Sequence, residues 1–236
     1  MNSRVETERQ FWRATRPRQT LTRTALVAVL VVAAVVAAPG LVRAESNVQT
    51  GAGSLTATAH LDFQVVIPRV LFLQVGTGTY LTTNASVDRI VFDLTGTPAI
   101  IGNSAQQTAT SGGDVSPGVV SARVIGNSFA AAANLTATTG GALSNGAGNT
   151  ISWSEIAITT AAGVPATGTN LAHPGTPNLA DAGSTTVSLT PVAKVINQTA
   201  QWSFKYKNTT VPPAGTYGAT GVAPANGRVT YTITMP

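Results

Sequence analysis

The chain has 236 residues, 43% apolar, 10% charged and none of them cysteine, with a formal net charge of +5. That charge belongs to residues 1–44, where seven arginines stand against two glutamates; from residue 45 onward seven basic and seven acidic side chains cancel. Beyond Arg43 the cations are scattered and only Lys205 and Lys207 come close together, so the clustered footprint that displaces counterions from phosphates is missing and nucleic-acid binding is not expected.

Residues 1–44 read as a secretory signal peptide. A basic stretch ending near Arg23 precedes an uncharged apolar run over 25–38, which Pro39-Gly40 breaks, and Val42-Arg43-Ala44 then supplies small residues where a signal peptidase requires them. The run has 14 residues, fewer than the about 20 that cross a bilayer as a helix. Contact with a membrane is therefore expected only during export, with cleavage between Ala44 and Glu45. Residues 45–236 are long enough to bury a core as a single domain. Without cysteine, an exported domain has to rely on that core and on its backbone ladders.

The clearest periodic signal follows a polar stretch over 45–54. Leu55, Ala57, Ala59, Leu61, Phe63, Val65 and Ile67 alternate with Thr56, Thr58, His60, Asp62, Gln64 and Val66. A period of two held this long predicts a half-buried strand. Pro68 has no N–H for a ladder and marks a bend or an edge, and a second apolar run over 70–75 comes directly after it. Further strands are predicted at 87–94, 118–125, 134–139, 150–159, 185–192, 199–207 and 228–235. Gly-rich clusters separate them, among them Asn145-Gly146 and Asn226-Gly227, the dipeptides best suited to positive φ in a hairpin. Residues 130–133, four alanines, are the one place where a helical turn is expected. The stretch 161–183, with three prolines and His173, reads as a long loop or small insertion. Many short strands with such turns indicate an all-β, antiparallel sandwich or barrel.

Candidate chemistry is sparse. A transition-metal site wants three or four ligands at recognisable spacing. His60 falls on the polar face of the first strand and His173 in the turn Leu171-Ala172-His173-Pro174-Gly175, so both are expected at the surface. No Asp-x-Asp loop offers a calcium site, and no metal, cofactor or small-molecule substrate is expected. Gly126-Asn127-Ser128-Phe129-Ala130 echoes a nucleophile elbow, with Glu155 and His173 following in the order serine, acid, histidine. That elbow requires a strand–turn–helix in a parallel sheet, and the surrounding pattern is antiparallel. The same tripeptide at Gly102-Asn103-Ser104 points to turn chemistry, and an enzyme is not expected. Trp202, Phe204 and Tyr206 alternate along one strand opposite Ser203, Lys205 and Lys207. They are expected in the core together with Phe63 and Tyr231, since aromatic burial dominates core energetics; exposed, the stripe would suit sugar rings. Four glycosylation sequons begin at Asn84, Asn134, Asn197 and Asn208.

Two stretches carry a resemblance. The ending Pro213-Ala214-Gly215-Thr216-Tyr217, followed by Asn226-Gly227-Arg228-Val229-Thr230-Tyr231-Thr232-Ile233-Thr234-Met235-Pro236, resembles the end of bacterial fimbrial subunits. In those, such a turn leads into a closing strand of alternating Val, Tyr or Ile and Thr. The opening Leu61-Asp62-Phe63-Gln64-Val65-Val66-Ile67-Pro68 is similar to the first strand of exported, fimbria-associated bacterial proteins. The resemblance covers the first and last strands, and the middle adds only general β texture. It implies an Ig-like, pilin-like sandwich, incomplete until a chaperone or the next subunit adds a strand. The chain departs from many such subunits in lacking a cysteine pair and their usual glycine and penultimate aromatic near the C-terminus.

The expected function is thus a non-enzymatic structural subunit of an extracellular, fimbria-like cell-surface filament, associating with itself or with an exported assembly partner. An exported adhesive or glycan-binding sandwich is one alternative. An outer-membrane barrel is another, although aromatic girdles at both strand ends are missing. For strand addition the candidate segment is 55–67, whose Leu55, Ala57, Ala59, Leu61 and Phe63 have the spacing to enter a groove. Pairing within its own domain is the competing use of the same alternation.

Overall fold

The computed structural model describes residues 46–218 and 226–235; the expected leader and its cleavage site lie outside them. The chain divides into two units, Met1–Val66 and Ile67–Pro236. In the first, the described residues 46–66 contain no helix and no strand and are exposed throughout.

The second unit is all-β and antiparallel. Its strands are β1 (Leu71–Val75), β2 (Gln107–Thr108), β3 (Val119–Gly126), β4 (Ala133–Thr139), β5 (Leu143–Ser144), β6 (Thr150–Ile151), β7 (Ile156–Ala162), β8 (Ser184–Leu189), β9 (Ile196–Tyr206) and β10 (Val229–Ile233). Two short 3-10 turns, Pro98–Ile100 and Trp153–Glu155, are the helical content of the described residues. The alanines at 130–132 add no helical turn, and Ala133 opens β4 instead.

β9, the longest strand, organises the larger sheet. β3 lies along one side of it from Val119↔Ser203 to Gly126↔Ile196, and β2 continues that side at Gln107↔Tyr206. β7 lies along the other side, from Ile156↔Tyr206 to Ala162↔Ala200, and β1 adds outside β3. The smaller sheet has the order β10-β4-β8. Alternation puts one face of each strand inside, as a period of two requires. Val120, Ala122 and Val124 of β3 are buried, as are Ala133, Leu135 and Ala137 of β4, while the residues between them are part-buried or exposed. Buried residues of both sheets belong to one core with Leu189, Ile196, Ala200 and Trp202. Phe129, from the β3–β4 connection, completes it. Its ring packs so closely on Gly126 that a side chain at that position would meet it. A second cluster joins Trp153, Ile156, Ile158, Leu179 and Tyr206. On the outer face of the small sheet, hydroxyls pair across strands at Thr136–Thr186 and Thr138–Ser184.

Three of the predicted strands are not formed as expected. The stretch 87–94 is reduced to a single bridge, Val91↔Ser111; before it the Asp88 carboxylate accepts from the backbone N–H and the hydroxyl of Thr77, and Gly112 comes so near Arg89 that a Cβ there would strike its carbonyl oxygen. The stretch 150–159 breaks at Trp153, whose backbone N–H goes to Asp181 Oδ1 and whose indole N–H goes to Gly141 O; Ser152 Oγ accepts from Ser154 N and turns the chain there.

The third departure is the largest. The alternating run 55–67 forms no ladder, and Phe63, expected in the core, is 87% exposed. The β1 ladder stops at Leu71↔Gly126. Just beyond it the carboxamide of Asn127 takes the N–H of Val70 and donates to the carbonyl of Pro68. Pro68 offers no N–H to carry the pairing on, so β1 starts after the alternating run instead of incorporating it.

Candidate functional site

The residues singled out for strand addition share one environment. Leu55, Ala57, Ala59, Leu61 and Phe63 are all exposed, as are Val65, Val66 and Ile67 after them. Fully burying a side chain such as Leu, Val or Phe is worth roughly 1.5–3 kcal/mol, and a contiguous apolar set left in water marks an interaction surface. The second unit has strands with an unladdered edge. β10 pairs with β4 and, among the described residues, with no other strand, and β1 likewise pairs only with β3. Along β10, half-buried Val229, Tyr231 and Ile233 alternate with exposed Thr230 and Thr232. Its free edge thus borders side chains packed on the core.

The aromatic stripe faces the other way. Trp202 is wholly buried and donates its indole N–H to Leu171 O at 2.8 Å. Phe204 is half-buried and Tyr206 buried, while Lys205 on the opposite face is exposed. The Tyr206 hydroxyl is buried without a hydrogen-bond partner. Its pKa is raised, first by burial and then by the charge of Glu155.

His173, expected at the surface, is instead 3% exposed. Residues 163–183 contain no strand, yet they fold inward through Leu171, His173 and Leu179. The Nδ1 of His173 accepts the N–H of Gly175, and its Nε2 lies 2.8 Å from the Tyr231 hydroxyl. The rings of Trp202, Phe204 and Tyr231 meet it edge-on with centroids 4.6, 5.6 and 5.5 Å away. Burial lowers the imidazole pKa to about 4 and raises that of the Tyr231 phenol. Nothing in the turn-like string around His173 distinguishes it from a surface loop, and the signal lies only in the tertiary packing.

Around the elbow-like motif, Asn127 anchors the start of β1, the Glu155 carboxylate accepts from Thr209 N and Thr209 Oγ1, and both His173 nitrogens are taken. At the second copy, Gly102 and Ser104 adopt positive φ and Asn103 Oδ1 accepts from Ala105 N, as in a turn. Of the four sequons, Asn84, Asn134 and Asn197 are exposed, whereas Asn208 is completely buried. Among the described residues no group of three or more His, Cys, Asp or Glu side chains could hold a metal ion, and no helix is long and apolar enough to cross a membrane. No family model, no curated protein and no solved structure matches the chain.

Proposed function

We propose that this protein is an exported, non-enzymatic structural subunit that builds a fimbria-like filament at the cell surface by lending residues 55–67 to a neighbouring subunit. The observation that carries this reading is the alternating set Leu55, Ala57, Ala59, Leu61 and Phe63, exposed on a segment with no ladder of its own. An added strand satisfies the unpaired N–H and C=O groups of a sheet edge, and every second side chain enters the acceptor's core. The resemblance of residues 61–68 and 213–236 to fimbrial subunits, with their Ig-like sandwich, supports the same reading, as does the side of β10 that has no ladder partner among the described residues. The charge-poor body adds little long-range repulsion between stacked copies. The glycan-binding alternative depended on an exposed aromatic stripe, and the burial of Trp202 and Tyr206 removes that support.

Deleting residues 45–59 tests the proposal. The second unit should remain folded and monomeric, and electron microscopy of cells carrying the truncated gene should show no filaments. Filaments that still assemble would refute strand donation, and global unfolding would return the segment to its own core.

A further inference from the structure

The hydrogen bonds of His173 fit one protonation state. Nδ1 accepts from Gly175 N, so the ring proton sits on Nε2 and is donated to Tyr231 Oη. A second proton would have to sit on Nδ1, facing the amide N–H of Gly175, donor against donor. The groups that face the ring are the indole of Trp202 and the phenyl of Phe204 from β9, the phenol of Tyr231 from β10, and the Gly175 amide from its own loop. None of these carries charge at neutral pH, and burial alone accounts for the weakened basicity of the imidazole. An imidazolium there would have no counter-charge among the described residues and would lose one of its two hydrogen bonds.

The ring also sits at a junction. Its loop reaches the large sheet through Leu171, whose N–H goes to Thr199 O and whose carbonyl receives the indole of Trp202. On the other side the ring holds Tyr231 of β10, the strand that closes the small sheet with, among the described residues, a single ladder partner.

We propose that His173 is an acid-sensitive latch: the neutral ring holds the 163–183 loop and β10 against the sheet around Trp202, and protonation releases both together. Once the ring is released to water it takes a proton with the ordinary histidine pKa near 6.5, against about 4 while it is latched. The open form therefore binds more protons in that window. Its population grows by up to about tenfold per pH unit as pH falls from about 6.5 toward 4. The inference needs only the fold of the second unit and stands whether or not the chain forms filaments.

Amide hydrogen exchange on the full chain, compared at pH 7, 5.5 and 4.5 after correction for intrinsic rates, tests it. Protection at 230–232 and 171–176 should fall by up to about tenfold per pH unit, while Val124 of β3 and Leu135 of β4 stay protected. His173→Gln, which cannot become cationic, should hold the protection of both segments constant over the same range. Should that variant not fold, the ring nitrogen signals of the wild-type chain decide instead: a neutral Nε2–H tautomer persisting to about pH 5 in the protected form supports the latch. An imidazolium at pH 6 in the protected form would overturn it. So would protection that is unchanged with pH, that falls equally at Val124 and Leu135, or that falls just as much in His173→Gln.

Discussion

Trp202 donates its indole N–H to the carbonyl oxygen of Leu171 over 2.8 Å, and neither residue keeps any surface. One contact thereby ties the longest strand to the loop that follows β7. Trp202→Ala should destabilise the domain by roughly 3–5 kcal/mol, as deletion of a buried large aromatic does. Trp202→Phe keeps most of the packing but strands the Leu171 carbonyl, and should cost at least the roughly 1–3 kcal/mol of an unsatisfied buried acceptor. Urea unfolding of the two variants measures both, and an unchanged midpoint for Trp202→Ala would place the stripe at the surface after all.

Tyr206 poses the opposite case. Its ring belongs to the second core cluster and its hydroxyl has no partner, so the polar atom is desolvated without return. Tyr206→Phe should leave stability unchanged or raise it by up to about 1 kcal/mol. The same replacement at Tyr231 leaves the Nε2–H of His173 without an acceptor and should cost about 1–3 kcal/mol. Thermal unfolding of the pair at pH 7 checks the difference, and equal losses would mean the Tyr206 hydroxyl is bonded in solution.

The strands legible in the sequence are those with one face in the core. In β3 and β4 the period of two follows burial residue by residue, because a slip of one residue would turn the apolar set to water; β9 keeps it at Ala200, Trp202 and Tyr206 but buries Thr199 as well. β2, β5 and β6 have two residues each, too few for any period to register. Trp153 reads as strand because, with Ile151 before it, an aromatic side chain alternates with Ser152 and Ser154. Its local structure is set by Asp181, 28 positions away, which no window along the chain can see. His173 was hidden by its own neighbours, since Pro174 and Gly175 signal a turn and are nonetheless buried with it. The run 55–67 is the reverse situation: its alternation reports that one face suits a core, and says nothing about which molecule supplies the core.

Asn208 begins a sequon in the sequence, and the fold uses it as a clamp. It is completely buried at φ +59°. Its Oδ1 accepts from Gly102 N, its Nδ2 donates to Ile100 O and Asn103 Oδ1, and its own carbonyl accepts from Ser104 N. Both Asn208→Ala and Asn208→Gly lose the side-chain bonds, but only alanine meets the steric penalty of the left-handed region, about 1–2 kcal/mol. Glycine should therefore be the milder substitution by about that amount in chemical denaturation. Alanine equal to or better than glycine would mean that the backbone relaxes out of positive φ. Glycosylation of the folded chain at Asn208 should not occur, since its amide nitrogen is spent on two acceptors.

The last prediction separates stability from assembly within residues 55–67. A side chain that is 87% exposed contributes almost nothing to the fold that carries it, so Phe63→Asp should leave the unfolding midpoint of the isolated chain within about 0.5 kcal/mol of wild type. The same change in a strand seated in a neighbour's groove would bury a carboxylate where an apolar ring belongs. That costs the roughly 1.5–3 kcal/mol of the lost burial together with the penalty for desolvating an unpaired charge. Leu61→Asp, two positions away on the same face, should behave alike. Gln64→Asp changes the opposite face, which an added strand keeps toward solvent, and should be tolerated. The expected pattern is therefore two folded, filament-free variants and one folded variant that still assembles, read by thermal unfolding and by electron microscopy of cells expressing each. If all three assemble, the segment is not the joint. If Gln64→Asp fails as completely as Phe63→Asp, both faces of the segment are buried in the assembly and single-faced strand addition is the wrong geometry.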